Sequence, residues 1–191
     1  MSQVGVLVAL TKRKKRLSFV LSILSFIAVF GLGSGVLAFL DIGYSHDPFG
    51  MQHPIPVSLK YHEVLYDGSA KPEVDANDRM SYLQIERVAG GGVYAYDFYY
   101  PALNAGEVYL RCFEATEGVA LSESSVGKRS RVSVPATHSF GKVVDKQAFT
   151  IYEGEWGDYY AVRVEVWHKA AASGRETKLL EKVYKMEGWT R

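Results

Sequence analysis

The segment DYYAVRVEVWHK, Asp158 to Lys169, carries the clearest secondary-structure signal of the chain. Apolar and charged side chains alternate along it, which is the pattern of a strand with one buried face. The side chains predicted to point inward are Tyr160, Val162, Val164 and Val166, and those predicted to point outward are Arg163 and Glu165. We therefore predict a long β-strand here, packed on a core.

A turn and a returning strand follow. The residues Ala170–Glu176 contain Gly174 and predict a turn, and Lys178–Trp189 predicts the hairpin partner of the first strand. Four charged residues of this partner are placed to pair with charges on the preceding strand: Glu181, Lys182, Lys185 and Glu187. The segment Ala170–Lys182 also has a helical interpretation, but a Ser-Gly pair interrupts it and favours the hairpin.

Shorter β segments precede the hairpin. They are predicted at 57–66, 81–88, 93–100, 107–116, 131–134 and 148–152. Glycine-rich turns separate them, and the serine-rich stretch Leu121–Arg129 is predicted to be a long connection. No alternation of strands with helices is visible. The sequence predicts an all-β fold, an Ig-like two-sheet β-sandwich of about 7–9 strands.

A stripe of aromatic residues has two interpretations. Every second residue of one predicted strand is aromatic: Tyr94, Tyr96, Phe98 and Tyr100. Such a stripe is the core face of a strand, or it is a surface that binds sugars or peptides, because tyrosine is rigid and amphipathic. The opposite face is not decisively polar, so the sequence leaves both interpretations open.

Cys112 is the only cysteine of the chain, which excludes an intrachain disulfide. It alternates with Val108 and Leu110 on one face of a predicted strand. We therefore expect the thiol to be buried. The alternative in an oxidising compartment is pairing with a second molecule.

The first forty residues predict a membrane anchor. Five consecutive cations, residues 12–16, precede an uncharged apolar run of 24 residues, Leu17–Leu40. At about 1.5 Å per residue a helix of that length reaches roughly 36 Å, enough to cross a hydrocarbon core of about 30 Å. Because cations resist translocation, the N-terminus is predicted to stay in the cytoplasm and the chain after Leu40 to lie outside it.

The predicted organisation has four parts. They are a basic cytoplasmic tail at 1–16, a transmembrane helix at 17–40, a linker at 41–56 and an extracytoplasmic β-sandwich domain at 57–191. The competing interpretation is a signal peptide cleaved after Ala38, since Val36-Leu37-Ala38 resembles a cleavage site. The apolar run is longer than the roughly 7–15 residues of such peptides, which favours an uncleaved signal-anchor.

Glycine spacing inside the apolar run allows helix pairing. Gly31 and Gly35 are four residues apart, a spacing that lets two membrane helices approach closely. The simpler interpretation is that glycine is common in membrane helices. We name both residues as candidates for helix–helix contact and self-association.

Charge and composition restrict the partners. The chain after Leu40 holds 17 basic and 21 acidic residues, a net charge of −4, which argues against nucleic acid as a target. No Asn-x-Ser/Thr sequence is present, which fits a bacterial periplasm better than a eukaryotic cell surface. The predicted location is the inner membrane, with the domain in the periplasm.

One acidic loop is the best candidate contact site. Glu153, Glu155 and Asp158 surround Trp156 in a short stretch with two glycines. Three carboxylates suggest Ca²⁺, but their spacing does not match the calcium-loop register. Tryptophan anchors protein interfaces, so we predict a protein contact, with a Trp packed at the end of the sandwich as the alternative. No metal site and no cofactor is predicted.

Catalytic motifs are weak. Ser125 with Lys128 and Ser139 with Lys142 match the Ser-x-x-Lys spacing of serine–lysine enzymes, which requires a helix. Neither segment is predicted to be helical, so no catalytic residue is assigned. The histidines are predicted to be scattered on the surface; they are His46, His53, His62, His138 and His168.

Three functions remain. The first is a membrane-tethered, non-catalytic module that binds or assembles proteins of the cell envelope. The second is an inhibitor or immunity-type protein that captures a toxin or enzyme in the periplasm. The third is a hydrolase of the serine–lysine type. The lack of a convergent catalytic set favours binding.

Overall fold

Strands make up most of the domain. The computed structural model describes residues 48–66, 69, 81–100, 102–138, 141–144 and 147–189. Its elements in chain order are α1 (Phe49–Gln52), β1 (His62–Glu63), β2 (Leu65–Tyr66), β3 (Tyr82–Arg87), β4 (Val93–Tyr100), β5 (Gly106–Glu114), β6 (Ala120–Leu121), α2 (Glu123–Arg129), β7 (Val132–Val134), β8 (Gly141–Val144), β9 (Phe149–Thr150), β10 (Tyr159–Ala170) and β11 (Glu176–Glu187).

These strands form two sheets. The larger has the order β1-β11-β10-β5-β6, with β7 also paired to β5, and the smaller has the order β2-β3-β4-β8, with β9 also paired to β4. Buried side chains of both sheets form one hydrophobic core. A mainly β fold with two sheets is confirmed. Eleven strands occur in the described residues, more than predicted, because four of them have only two residues.

The predicted hairpin is confirmed. Strands β10 and β11 pair antiparallel from Tyr159 opposite Glu187 to Lys169 opposite Glu176, with a bulge at Val166/Trp167. Strand β11 covers most of the segment that also had a helical interpretation, which is therefore wrong.

The charges of β11 pair mostly outside β10, unlike the prediction. Glu181 lies opposite Glu165, so two like charges would meet there. Lys178 separates them, with its Nζ 2.6 Å from Glu181 and 3.4 Å from Glu165. Two further charges reach other strands, Lys185 to Glu63 and Glu187 to Arg87.

The aromatic stripe belongs to the core. Tyr94, Tyr96, Phe98 and Tyr100 are each at most 4 % exposed. Buried tyrosines need partners for their hydroxyl groups, and Tyr96 donates to the carbonyl of Ser130 at 2.6 Å. The interpretation as a sugar- or peptide-binding surface is wrong.

Cys112 lies in the same core. Its side chain is 2 % exposed, and burial raises the pKa of its thiol well above the ordinary range. The prediction of a buried cysteine is confirmed. A thiol that is inaccessible and protonated is unreactive towards a second molecule.

Helix α2 replaces the connection predicted at Leu121–Arg129. Glu123 in its first turn and Lys128 in its last turn complement the helix dipole, and Val126 is buried. Ser130, which follows the helix, accepts a hydrogen bond from the N–H of Leu110 at 2.9 Å. The helix thus covers β5 between its pairings with β6 and β7. Seven residues are too few to show a helical period in sequence.

The chain enters the domain earlier than predicted. The ring of Phe49 in α1 lies 5.0 Å from that of Tyr160, and His53 is 8 % exposed and stacked on Phe49. The described end of the predicted linker therefore packs on the domain. His168 is also buried, so the prediction that all histidines lie on the surface is wrong for two of them.

The predicted tail, membrane helix and first part of the linker lie outside the described residues. Gly31 and Gly35, with the proposed cleavage site at Ala38, lie there too. Among the residues described, no helix combines the length and the apolar character needed to span a bilayer. The anchor stays a prediction.

Candidate functional site

Exposed hydrophobic side chains gather at one end of the domain. Here β3, β5 and β11 finish and β4 and β10 begin. Large hydrophobic side chains exposed at this end are Met51, Tyr66, Val88, Val119, Tyr152, Trp156 and Trp189; Val57 and Tyr61 complete the exposed set in the described residues. We call Tyr152, Trp156 and Trp189 the aromatic end.

Trp156 rests on the turn between β3 and β4. A Cβ atom on Gly91 would lie 2.1 Å from Cδ1 of Trp156, and one on Gly90 would lie 2.8 Å from its Cη2. Only glycine leaves room for the indole at these two positions. The side chain is 38 % exposed, so one face of the ring is supported while the rest meets solvent.

The same turn supports Trp189. Gly92 has φ +76°, and a Cβ there would lie 2.4 Å from the backbone nitrogen of Trp189. The ring of Trp189 meets that of Tyr152 edge-on at 6.0 Å. One glycine turn of the smaller sheet therefore contacts the indole of Trp156, which precedes β10, and the backbone of Trp189, which follows β11.

Glu153 has a role inside the domain. Its carboxylate accepts hydrogen bonds from the backbone N–H of Ser122 at 2.9 Å and from its hydroxyl at 2.6 Å. Its carbonyl accepts one from the hydroxyl of Tyr160 at 2.6 Å. Ser122, at φ +44°, in turn accepts from the N–H of Tyr152 at 2.8 Å. These bonds fix the loop that carries the aromatic end.

The other two predicted contact residues flank Trp156. Glu155 is half-buried, and its carbonyl accepts from the N–H of Asp158 at 3.3 Å. Asp158 packs against α1, where a Cβ on Gly50 would lie 2.9 Å from its own Cβ. Of the predicted contact set, Trp156 is the most exposed member.

A neighbouring loop is held by a buried carboxylate. Glu114 accepts hydrogen bonds from the N–H of Glu117 at 2.6 Å and from the N–H and hydroxyl of Thr116 at 2.8 Å. Burial opposes its charge, but these donors hold the pKa of Glu114 below its usual range. The loop that ends at Val119 is therefore fixed by an ionised side chain.

An ion pair that the sequence did not reveal lies beneath this end. Arg87 Nη2 is 2.5 Å from Oε1 of Glu187, whose side chain is 2 % exposed. Oε2 of Glu187 accepts from the N–H of Gly157 at 2.6 Å, and the backbone of Glu187 exchanges two hydrogen bonds with the hydroxyl of Tyr94. Burial opposes the charge of Arg87, but Glu187 and Tyr159 raise its pKa above the ordinary value.

The two Ser-x-x-Lys matches lie in different parts of the fold. Ser125 and Lys128 lie on α2, so the prediction that this segment is not helical is wrong. In the part of the chain that is described, no hydrogen bond joins the two side chains, and Lys128 points to solvent. Lys142 pairs with Asp97 at 3.0 Å, and Ser139 lies outside the described residues.

Neither a search for metal ligands among the described residues nor a comparison with known proteins identifies a further site. Within the described residues, no group of three or more His, Cys, Asp or Glu side chains is arranged to hold a metal ion. No protein-family model, curated protein or solved structure matches this chain. The geometry of the aromatic end is therefore the basis for assigning a function.

Proposed function

We propose that this chain is a single-pass, membrane-anchored, non-catalytic binding or assembly module of the bacterial cell envelope. Its outer domain is an Ig-like sandwich in the periplasm that contacts a protein partner through the aromatic end. Residues 17–40 form the anchor in the inner membrane. Gly31 and Gly35 are the candidates for self-association through that anchor.

The observation that carries this proposal is the exposure of supported aromatic side chains at one end. Trp156 and Trp189 are 38 % and 46 % exposed, yet the indole of Trp156 rests on Gly90 and Gly91, and the backbone of Trp189 lies against Gly92. Tryptophan and tyrosine provide most of the energy of many protein interfaces, and side chains already held in place lose little entropy on binding.

The surroundings of these rings also suit a protein. The exposed hydrophobic side chains at this end include Val88, Val119 and Met51 in addition to the rings. The half-buried, polar Glu155 and Asp158 flank Trp156 in the sequence. Exposed apolar side chains accompanied by polar groups are typical of protein interfaces.

The topology is tested with reporters fused after Arg191. A reporter that is active only in the periplasm is expected to be active, because the five cations at 12–16 keep the N-terminus in the cytoplasm. The matched fusion carries a reporter active only in the cytoplasm. Activity of that second fusion would overturn the proposed orientation.

The binding surface is tested by photo-crosslinking in intact cells. A photoreactive amino acid in place of Tyr152 is expected to yield a discrete crosslinked product, because this exposed position belongs to the aromatic end. The matched control places the same amino acid at Ser173, an exposed residue in the turn at the opposite end of β10. We expect at least about tenfold less product there.

The identity of the crosslinked protein separates two roles. A resident envelope protein supports the assembly module, whereas a one-to-one complex with a secreted toxin or enzyme supports the inhibitor or immunity role. Equal products from Tyr152 and Ser173 would contradict binding through the aromatic end.

A further inference from the structure

The chain enters the domain at the aromatic end. Helix α1 begins one residue after the first described residue, and it packs where β10 begins. The ring of Phe49 lies 5.0 Å from that of Tyr160, and a Cβ on Gly50 would lie 2.9 Å from the Cβ of Asp158. Asp158 belongs to the loop that carries Trp156. The point of entry and the exposed rings therefore lie at the same end of the domain.

Helix α1 is held at this end by a buried histidine. Nδ1 of His53 donates to the carbonyl of Phe49 at 2.8 Å, and its Nε2 lies 3.6 Å from a carboxylate oxygen of Glu117. The imidazole is buried and stacks on the ring of Phe49. Because the helix is packed and hydrogen-bonded in this way, Pro48, which precedes it, is a fixed point of the chain.

The chain between the predicted anchor and this fixed point has a limited reach. From Leu40 to Pro48 there are eight peptide steps (48 − 40). At about 3.3–3.6 Å per step, a fully extended chain spans about 26–29 Å. Crossing the headgroup layer, roughly 5–7 Å on each side of a bilayer, uses part of that span. The aromatic end is therefore tethered close to the membrane.

The length of β10 decides which end of the domain lies nearer the bilayer. The strand has 12 residues, Tyr159–Ala170, and its eleven steps of about 3.4 Å give a length of about 37 Å. If the domain stood upright with the aromatic end away from the membrane, Pro48 would lie at least that far from the bilayer surface. The connecting residues cannot reach so far, so the anchor requires the opposite orientation or a tilted one.

The charges at this end suit a protein better than a lipid surface. The side chain of Glu117 is 66 % exposed, and the half-buried Glu155 and Asp158 flank Trp156. The cation of the adjoining strand, Arg87, is paired with a buried carboxylate. Surfaces that bind anionic bilayers combine aromatic side chains with available lysines and arginines. Carboxylates around the rings would instead be repelled by anionic headgroups.

We propose that the partner of the aromatic end is an integral membrane protein. This inference rests on the proposed function, which supplies both the anchor and the binding surface, and it adds where the partner is held. A partner embedded in the same membrane presents its periplasmic surface at the height to which the tether confines the aromatic end. Confinement to one membrane raises the effective concentration of both molecules, so a small contact surface is sufficient.

The test lengthens the tether of the full chain and measures photo-crosslinking from Tyr152 in intact cells. Four repeats of EAAAK inserted between Ser45 and His46 form a semi-rigid spacer of about 30 Å, which lifts the aromatic end away from the membrane. We expect at least about tenfold less crosslinked product than from the unmodified chain. Mass spectrometry of the product from the unmodified chain is expected to identify a protein with an apolar span of about 20 residues.

A flexible spacer of equal length is the matched control. Four repeats of GGGGS at the same position add the same number of residues but let the domain return to the membrane. We expect the product to stay within about threefold of that from the unmodified chain. Immunoblots of the membrane fraction check that the three chains accumulate to the same level.

The possible failures are distinguishable. Unchanged product with both spacers, or a crosslinked protein without a membrane span, would overturn the membrane-embedded partner and leave binding through the aromatic end intact. Equal losses with both spacers would also overturn it, because the flexible spacer permits the original contact. Phospholipid adducts in place of a protein product would assign the surface to the bilayer. No product from Tyr152 in the unmodified chain would refute the proposed function itself.

Discussion

Replacement of Arg87 by alanine is expected to lower the free energy of unfolding by about 3–5 kcal/mol, because it leaves a buried carboxylate without its counter-charge. The partner, Glu187, is 2 % exposed and lies 2.5 Å from the guanidinium. The remaining hydrogen bond, from the N–H of Gly157 at 2.6 Å, does not neutralise the charge. Urea unfolding followed by tryptophan fluorescence measures the loss.

The double variant Arg87→Ala/Glu187→Gln is the control for this prediction. A neutral amide in place of the carboxylate removes the buried charge, so the double variant is expected to recover about half of the lost stability. A loss of about 1 kcal/mol or less in Arg87→Ala would mean that water reaches Glu187 and that the pair behaves like an exposed one.

The alternation of residues within a single strand was enough to predict the parts of the fold that depend on that strand alone. The alternation from Tyr160 to Val166 predicted both the strand and its buried face, and these side chains are 0 % exposed. The stripe Tyr94–Tyr100 showed its period equally well, but its burial depended on a second sheet. The structure places that sheet over it, which decided between core and surface.

The ion pair between Arg87 and Glu187 and the contact of Trp156 with the glycine turn could not be predicted from sequence. Arg87 and Glu187 stand on strands of different sheets, and no local signal connects them. The glycines 90–92 and the loop around Trp156 were both visible as separate features. Their contact arises only when the two sheets pack, since Gly91 and Trp156 meet across the end of the domain.

Helix α2 shows a different limit of structure prediction from sequence. Its seven residues include Gly127 and two serines, which are weak helix formers. The helix forms because Val126 is buried beneath it and Ser130 bonds to the N–H of Leu110 in β5. Tertiary contacts therefore outweighed the local preference for a connection.

Gly188→Ala is expected to cost about 3 kcal/mol or more of stability. A Cβ at Gly188 would lie 2.0 Å from the carbonyl oxygen of Glu153 and 2.1 Å from that of Gly154. Both obstacles are backbone atoms, so no side-chain rotation relieves the clash. The loop can withdraw only by disturbing the bonds between Glu153 and Ser122.

Gly127→Ala separates this clash from the general effect of adding a methyl group. A Cβ at Gly127 would have its nearest neighbour 3.9 Å away, and the residue lies within α2, so alanine there is expected to stabilise the chain by up to about 1 kcal/mol. Opposite changes in the urea midpoint would confirm the prediction, and equal losses would contradict it.

Because Gly188 directly precedes Trp189, the Gly188→Ala variant is also expected to reduce crosslinking from Tyr152 under conditions where the domain stays folded. That second result would connect the close packing of the loop with the proposed binding surface.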